Sequence, residues 1–185
     1  MDIEPRTPLR LRRWQDNDAP ALIGALASDD MSHQGPIITT SDGALQWLRW
    51  AGGLASREAG FCLAVADADD IAVGNVMVTD IDRHSTGWAS YWTAVAARGH
   101  GVASDAVAAL AHWLHDEHEV ERIELGHRVN NPASCRVATK AGFAAEGVER
   151  GKLYYKGVRY DVERHARLAT DPRVALDRRV TIDLA

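Results

Sequence analysis

Cysteine is nearly missing from this chain: Cys62 and Cys135 are the only two in 185 residues. Two thiols cannot build a disulfide scaffold, and reduced side chains in a cytoplasmic protein are the simpler expectation. Long apolar runs are missing too. No window approaches the ~20 uninterrupted apolar residues of a membrane-spanning helix. Met1 to Arg13 lack the apolar segment of a secretory signal, so no membrane partner is expected. Positive charge is not in excess: 21 Lys and Arg stand against 26 Asp and Glu, a net charge of −5. That speaks against nucleic-acid binding and toward a cationic or neutral partner. No internal repeat or low-complexity block stands out. What remains is ordinary globular composition, 46% apolar and 25% charged. It suits a single domain over residues 1–185, with its core at about 9–168 and a tail over 171–185. A domain of this length buries about 70% of its extended-chain surface and needs no staples.

Pattern along the chain predicts an α/β fold. Leu9 to Trp14 alternates and reads as a strand. Asp16-Asn17-Asp18-Ala19-Pro20 reads as a helix start with an Asx cap, and Ser41-Asp42 caps a second helix that stops at Gly52-Gly53. Between them, Ser28 to Thr40 is a polar loop long enough to shape a site. Three strand-like runs follow, Phe61–Ala66, Ala72–Thr79 and Trp88–Val95, with connections short enough for antiparallel hairpins. A helix then reaches about His118, with Ala103, Ala106, Val107, Leu110, Trp113 and Leu114 as its core stripe. A strand over Arg122–Val129, a helix opening at Asn131 and stopping at Ala141-Gly142-Phe143, and strands near Ala144–Gly151 and Arg159–Arg167 complete the order. Lys156-Gly157 falls in the last turn. The sequence of elements predicts a mixed sheet with helices on both faces.

Arg98-Gly99-His100-Gly101-Val102-Ala103-Ser104 is the sharpest local signal. It joins a strand to a helix, and a helix N-terminus offers unpaired N–H groups and a positive dipole end to a phosphate. Gly99 and Gly101 let the backbone close on a pyrophosphate, and Arg98 adds a charge-assisted donor. A plain glycine turn is the bland alternative. A dinucleotide fingerprint fits poorly: Ser104 holds the third glycine position, and Glu119 and Glu121 precede the next strand instead of ending it. A Walker loop is excluded by the lack of Gly-Lys-Ser/Thr. The second signal is Asn131-x-x-Ser134-x-x-Val137-x-x-Lys140-x-Gly142-Phe143. Alone it is a capped helix with a glycine stop. With the phosphate loop some 30 residues earlier, it sets two helix N-termini after neighbouring strands, facing one cleft.

Together with Tyr91-Trp92 ahead of the loop, these motifs resemble the GNAT superfamily of acetyltransferases. Their spacing is most similar to the ribosomal-protein-alanine (RimJ/RimL-like) branch, over about Leu9 to Leu168. The resemblance implies a mostly antiparallel twisted sheet with a splayed strand pair that takes acetyl-CoA as cosubstrate. It implies that Val95 offers backbone groups to the pantetheine arm and thioester. Arg98, Gly99, His100, Gly101, Val102, Ala103 and Ser104 would hold the pyrophosphate. Asn131 would touch the arm, Ser134 would sit near the sulfur, and Arg136 or Lys140 would reach the adenosine end. The implied reaction is direct attack by a primary amine, of a small molecule or a protein N-terminus, in a ternary complex. Ser134 would serve as general acid and a strand amide near Val95 as oxyanion donor. A non-catalytic acyl-CoA-binding or sensing module on the same scaffold is the alternative, and a nucleotide-dependent oxidoreductase a more distant one. A homodimer is compatible with either.

The proton acceptor is less legible. GNAT enzymes often place a Glu on the strand before the loop, but Trp88 to Thr93 has no carboxylate. Gly151 to Tyr155, where relatives of this branch can carry one, has none either. This departure leaves the base and the ribosomal acceptor open. His127 ranks first among side chains, because it shares strand parity with Ile123, Leu125 and Val129 and titrates near neutrality. Asp80, Asp82 and His84 follow. No metal is expected: His112, His115 and His118 are spaced i, i+3, i+6, and read as a solvated helix face. Trp47 and Trp50 read as core, with a pocket roof as the alternative. Cys135 has no oriented base beside it and is not expected to be a nucleophile.

Overall fold

The computed structural model describes residues 7–28, 31, 37–55 and 59–184. Among them, eight strands form one sheet: β1 (Leu9–Arg12), β2 (Gly60–Ala66), β3 (Ala72–Thr79), β4 (Thr86–Thr93), β5 (Arg122–Arg128), β6 (Ala144–Tyr155), β7 (Val158–Leu168) and β8 (Val180–Asp183). Their spatial order is β6-β7-β5-β4-β3-β2-β1-β8. All neighbours pair antiparallel except β4 with β5 and β1 with β8.

Among the described residues four α-helices cover both faces, as the element order predicts. α1 (Ala19–Leu26) and α2 (Ser41–Gly52) lie on one face, and α3 (Val102–Glu117) and α4 (Pro132–Lys140) on the other. Strand parity divides the core accordingly. Leu63 and Val65 of β2 join Leu110 and Leu114 of α3, whereas Cys62 and Ala64 turn to Leu22 of α1 and Leu48 of α2. A central strand buried on both sides reads as a continuous apolar run, which is why Phe61–Ala66 lacks alternation.

Two capping expectations shift. Thr40, not Ser41 or Asp42, caps α2 by accepting from the Gly43 N–H at 3.2 Å. Asp18 does not cap α1, because its carboxylate is taken by the buried Arg12 guanidinium at 2.7 and 2.9 Å. The C-terminal segment also departs from the reading of a plain tail. It supplies β8, which pairs with β1 in the register Leu9↔Val180 to Arg12↔Asp183.

One irregularity of the sheet matters most. β4 and β5 pair only at Thr86↔Arg122, Gly87↔Ile123 and Trp88↔Glu124. Beyond Trp88 the strands part, and β4 stays paired with β3 alone as far as Thr93↔Gly74.

Candidate active site

The Ala94 N–H donates to Val73 O on β3 at 2.8 Å. Alternate residues of a strand face opposite edges, so the Tyr91 and Thr93 amides face the gap beside β5. Val95 was expected in this strand, and the strand is shorter than that. It ends at Thr93, and Val95 opens a 3-10 turn (Val95–Ala97) in which its carbonyl accepts from the Arg98 N–H at 3.2 Å. Val95 is 60% exposed and does not line the gap.

A pocket of about 360 Å³ occupies the opening. Its walls are the Tyr91–Thr93 end of β4, the loop from Arg98 to Gly101, the first turn of α3 and one side of α4 as far as Lys140. Of the loop, Arg98, Gly99, Gly101, Val102, Ala103 and Ser104 line it. Gly99 and Gly101 have φ of 81° and 76°, a left-handed backbone that a side chain would strain. Gly101 is the N-cap of the 16-residue α3, so the positive end of a long dipole faces the pocket. Asn131, Ser134, Arg136 and Lys140 line the opposite wall. His100 does not: its carbonyl is held from behind by Arg178 of the C-terminal segment. Arg98 turns back on the fold, donating to Thr93 O at 3.1 Å and to the Ser28 hydroxyl at 3.5 Å. Most of the polar loop after Ser28 lies outside the described residues, but Met31 is in this pocket.

The second helix start is built as its sequence predicts. Asn131 accepts the Ser134 N–H at 3.2 Å, and its amide donates to Ser134 Oγ at 3.0 Å. The Asn131 amide takes one lone pair of the Ser134 hydroxyl and leaves its proton available to donate. The Tyr91 hydroxyl donates to Ser134 O at 3.2 Å. Burial pushes the Tyr91 phenol up from its ordinary value, so it remains a donor.

A second pocket, of about 260 Å³, lies on the β6–β7 side and shares Tyr91, Asn131 and Ser134 with the first. Trp88, Ser90, Arg128, Glu149, Lys152 and Arg164 are among its lining residues. Ser90 Oγ is buried without a hydrogen-bond partner among the described residues. Glu149 is a carboxylate that the sequence motifs did not single out. It precedes Gly151–Tyr155 on the same strand, and only the β6–β7 pairing brings it here. Lys152 at 2.9 Å and Arg164 at 3.3 Å hold it below the usual carboxylate range.

The remaining candidates sort by position. His127 touches this second pocket but does not fit the role of base: its Nδ1 lies 3.0 Å from Arg128 O and its Nε2 3.1 Å from His165 Nε2. Asp80, Asp82 and His84 sit at the paired end of β4, away from the gap, and line neither pocket. Trp47 packs on Trp14 with ring centroids 5.4 Å apart and belongs to the α1–α2 core. His112, expected in solvent, is half-buried and accepts from Arg167 at 3.2 Å.

Comparisons with known proteins agree with this geometry. A Bacillus subtilis protein named probable N-acetyltransferase YjcK is 33% identical over 93 residues, 49% of this chain and 51% of that protein. The ribosomal-protein-serine acetyltransferase of Escherichia coli is 30% identical over 101 residues, 54% of this chain and 56% of its own length. The chain thus spans about half the length of the curated relatives it matches. Spermidine N-acetyltransferase from Vibrio cholerae, solved with CoA and spermine, has the same fold with a TM-score of 0.77. Its identity is 20%, and the match covers 88% of this chain and 96% of that one. The profile described as acetyltransferase (GNAT) domain matches residues 8–144, and the chain belongs to that family.

Proposed function

We propose that the protein transfers an acetyl group from acetyl-CoA to a primary amine. The observation that carries this reading is the junction of the two pockets at Tyr91, Asn131 and Ser134. One pocket has the shape and charge to hold a phosphate-bearing cosubstrate at the start of α3, with Arg136 and Lys140 toward its outer end. The other admits an acceptor from the opposite side of the sheet. At the junction, the amine nitrogen attacks the thioester carbonyl carbon, the C–S bond breaks, and the thiolate takes a proton from the Ser134 hydroxyl, whose oxygen is reprotonated from water. The amides of Tyr91 and Thr93, in place of Val95, lie where an oxyanion needs donors. Glu149, in place of His127, takes the ammonium proton through water.

The acceptor pocket narrows the substrate class. Among the described residues it presents Arg128, Lys152 and Arg164 against Glu149. That lining repels a polycation and favours an amine that carries a carboxylate or belongs to a peptide N-terminus. The test is thiol release from acetyl-CoA across a panel of amino acids, peptides and polyamines. Turnover with peptides or amino acids and little with spermidine is expected. Turnover fastest with spermidine would overturn the substrate class. CoA binding without turnover on any amine would make the protein an acyl-CoA-binding module instead.

A further inference from the structure

Beneath the first turn of α4, four side chains from three elements converge. His127 lies on β5, Glu163 and His165 on β7, and Cys135 on α4; their ligating atoms all fall within 4.8 Å of one another. The β5–β7 register sets His127 directly opposite Glu163, and parity turns His165 to the same face. The three sheet donors form a nearly equilateral triangle. His127 Nε2 to His165 Nε2 is 3.1 Å, His165 Nε2 to Glu163 Oε2 is 3.1 Å, and His127 Nε2 to Glu163 Oε2 is 3.2 Å. A tetrahedral zinc ion with Zn–N and Zn–O bonds of about 2.0–2.1 Å spaces its ligand atoms about 3.3–3.4 Å apart.

We propose that His127, His165, Glu163 and Cys135 form a site for a divalent transition metal of zinc type. Three independent features support it. The first is the outer shell: each imidazole has its Nδ1 on a backbone carbonyl, Arg128 O at 3.0 Å for His127 and Phe143 O at 3.4 Å for His165. That arrangement puts the proton on Nδ1 and leaves both Nε2 lone pairs aimed into the triangle, as metal-ligating histidines are normally held. Two such lone pairs on buried histidines, converging with the partly exposed Glu163 carboxylate, repel one another unless a positive charge sits between them. The second is charge balance. A thiolate, a carboxylate and two neutral imidazoles sum to −2, which a dication cancels, so the burial of both histidines carries no net charge with it. The third is donor softness. Nitrogen and sulfur donors beside a single carboxylate suit zinc and disfavour the all-oxygen preference of calcium or magnesium. Cys135 completes the set from above, and Cys135 and Glu163 are partly exposed, which gives an ion its way in. Bound there, the metal ties the turn that carries Asn131 and Ser134 to β5 and β7. Of its ligands only His127 lines a pocket, and Cys135, Glu163 and His165 line neither, so the site stands whatever the acceptor proves to be.

Cobalt(II) is the probe. The full chain is stripped with a chelator and titrated with Co²⁺, then with Zn²⁺. We expect one saturable equivalent, an intense tetrahedral d–d spectrum, a thiolate-to-cobalt charge-transfer band in the near ultraviolet, and displacement of both signals by one equivalent of Zn²⁺. Cys135→Ser should remove the charge-transfer band. His127→Gln should weaken binding by more than about tenfold, since even an outer-shell partner is worth 10–100-fold. Cys135 is partly exposed, so its variant keeps the test open if substitution at a buried histidine unfolds the chain. A weak octahedral spectrum, a signal unchanged in Cys135→Ser, or no saturable binding would overturn the proposal. The last outcome would mean that a shared proton, not a metal, fills the triangle.

Discussion

Ser134 receives three hydrogen bonds or gives them through its backbone, and none consumes its hydroxyl proton: Asn131 serves its N–H and its Oγ, and Tyr91 its carbonyl. Ser134→Ala should lower kcat by about 10²–10⁴-fold while leaving CoA affinity nearly unchanged, since in the proposed reaction the lost group acts only on the leaving thiolate. Equal rates would reduce Ser134 to a capping-turn residue. Tyr91→Phe removes one neutral hydrogen bond, worth about 0.5–1.5 kcal/mol, and should lower kcat more than it raises the KM for acetyl-CoA. Glu149 carries a further prediction. Lys152 first, then Arg164, hold its carboxyl below the ordinary range, so it stays ionised through neutral pH. Its proton-accepting form is lost only as pH falls below the usual carboxylate values, which places the acidic limb of kcat/KM there. Glu149→Gln should cost about 10²-fold or more and flatten that limb. A retained limb would move the base elsewhere in the pocket.

At the scale of elements, the C-terminal segment is the piece that composition and periodicity could not assign. β8 has only four residues, VTID, and its partner β1 lies at the opposite end of the chain. No local pattern reports a parallel pairing of that sequence separation. The phosphate loop and the capped start of α4 were legible because glycine at positive φ and an Asx cap are local chemistry. Glu149 and the His127–His165 contact were not, because cross-strand register brings them together. The consequence is a brace behind the loop. Arg178 donates to Asp105 at 2.8 Å, both side chains being almost fully buried, and also to His100 O. The Asp177 N–H donates to the other Asp105 oxygen at 3.0 Å. Asp105→Asn leaves the guanidinium buried without its counter-charge and should destabilise the fold by about 3–5 kcal/mol in a denaturant melt. Replacing both partners, Asp105→Leu with Arg178→Met, should recover most of that loss. It should not recover CoA affinity, because His100 O then lacks its donor and the loop loses its rear support. Full affinity in the double variant would show that Gly99 and Gly101 shape the loop without the brace.

For the molecule as a whole, acid should act through a histidine before it acts through carboxylates. His112 on α3 accepts from Arg167 on β7, and Arg167 in turn donates to Gly142 O at 3.2 Å and Pro172 O at 3.0 Å. One guanidinium thus gathers α3, the stop of α4 and the segment after β7. Desolvation, and then the Arg167 and Arg173 charges, bring the His112 pKa down to about 4. In the unfolded chain it titrates near 6.5. Between those values the unfolded chain binds the proton and the folded chain does not, so falling pH favours unfolding. The stabilising effect is complete above about pH 6.5 and is lost as pH drops toward 4, where an imidazolium would face Arg167 with no lone pair to offer. Carboxylates respond lower. Asp70, held down chiefly by Arg12, and Glu146, held down chiefly by Arg122, keep their pairing until pH falls below their unfolded values near 4. The melting temperature should therefore decline in two stages. His112→Gln, whose amide oxygen can still accept from Arg167, should remove the first stage, between about pH 6.5 and 4, and leave the second. Parallel melting curves for wild type and variant through that first window would assign the loss to another titrating group and free His112 of the role.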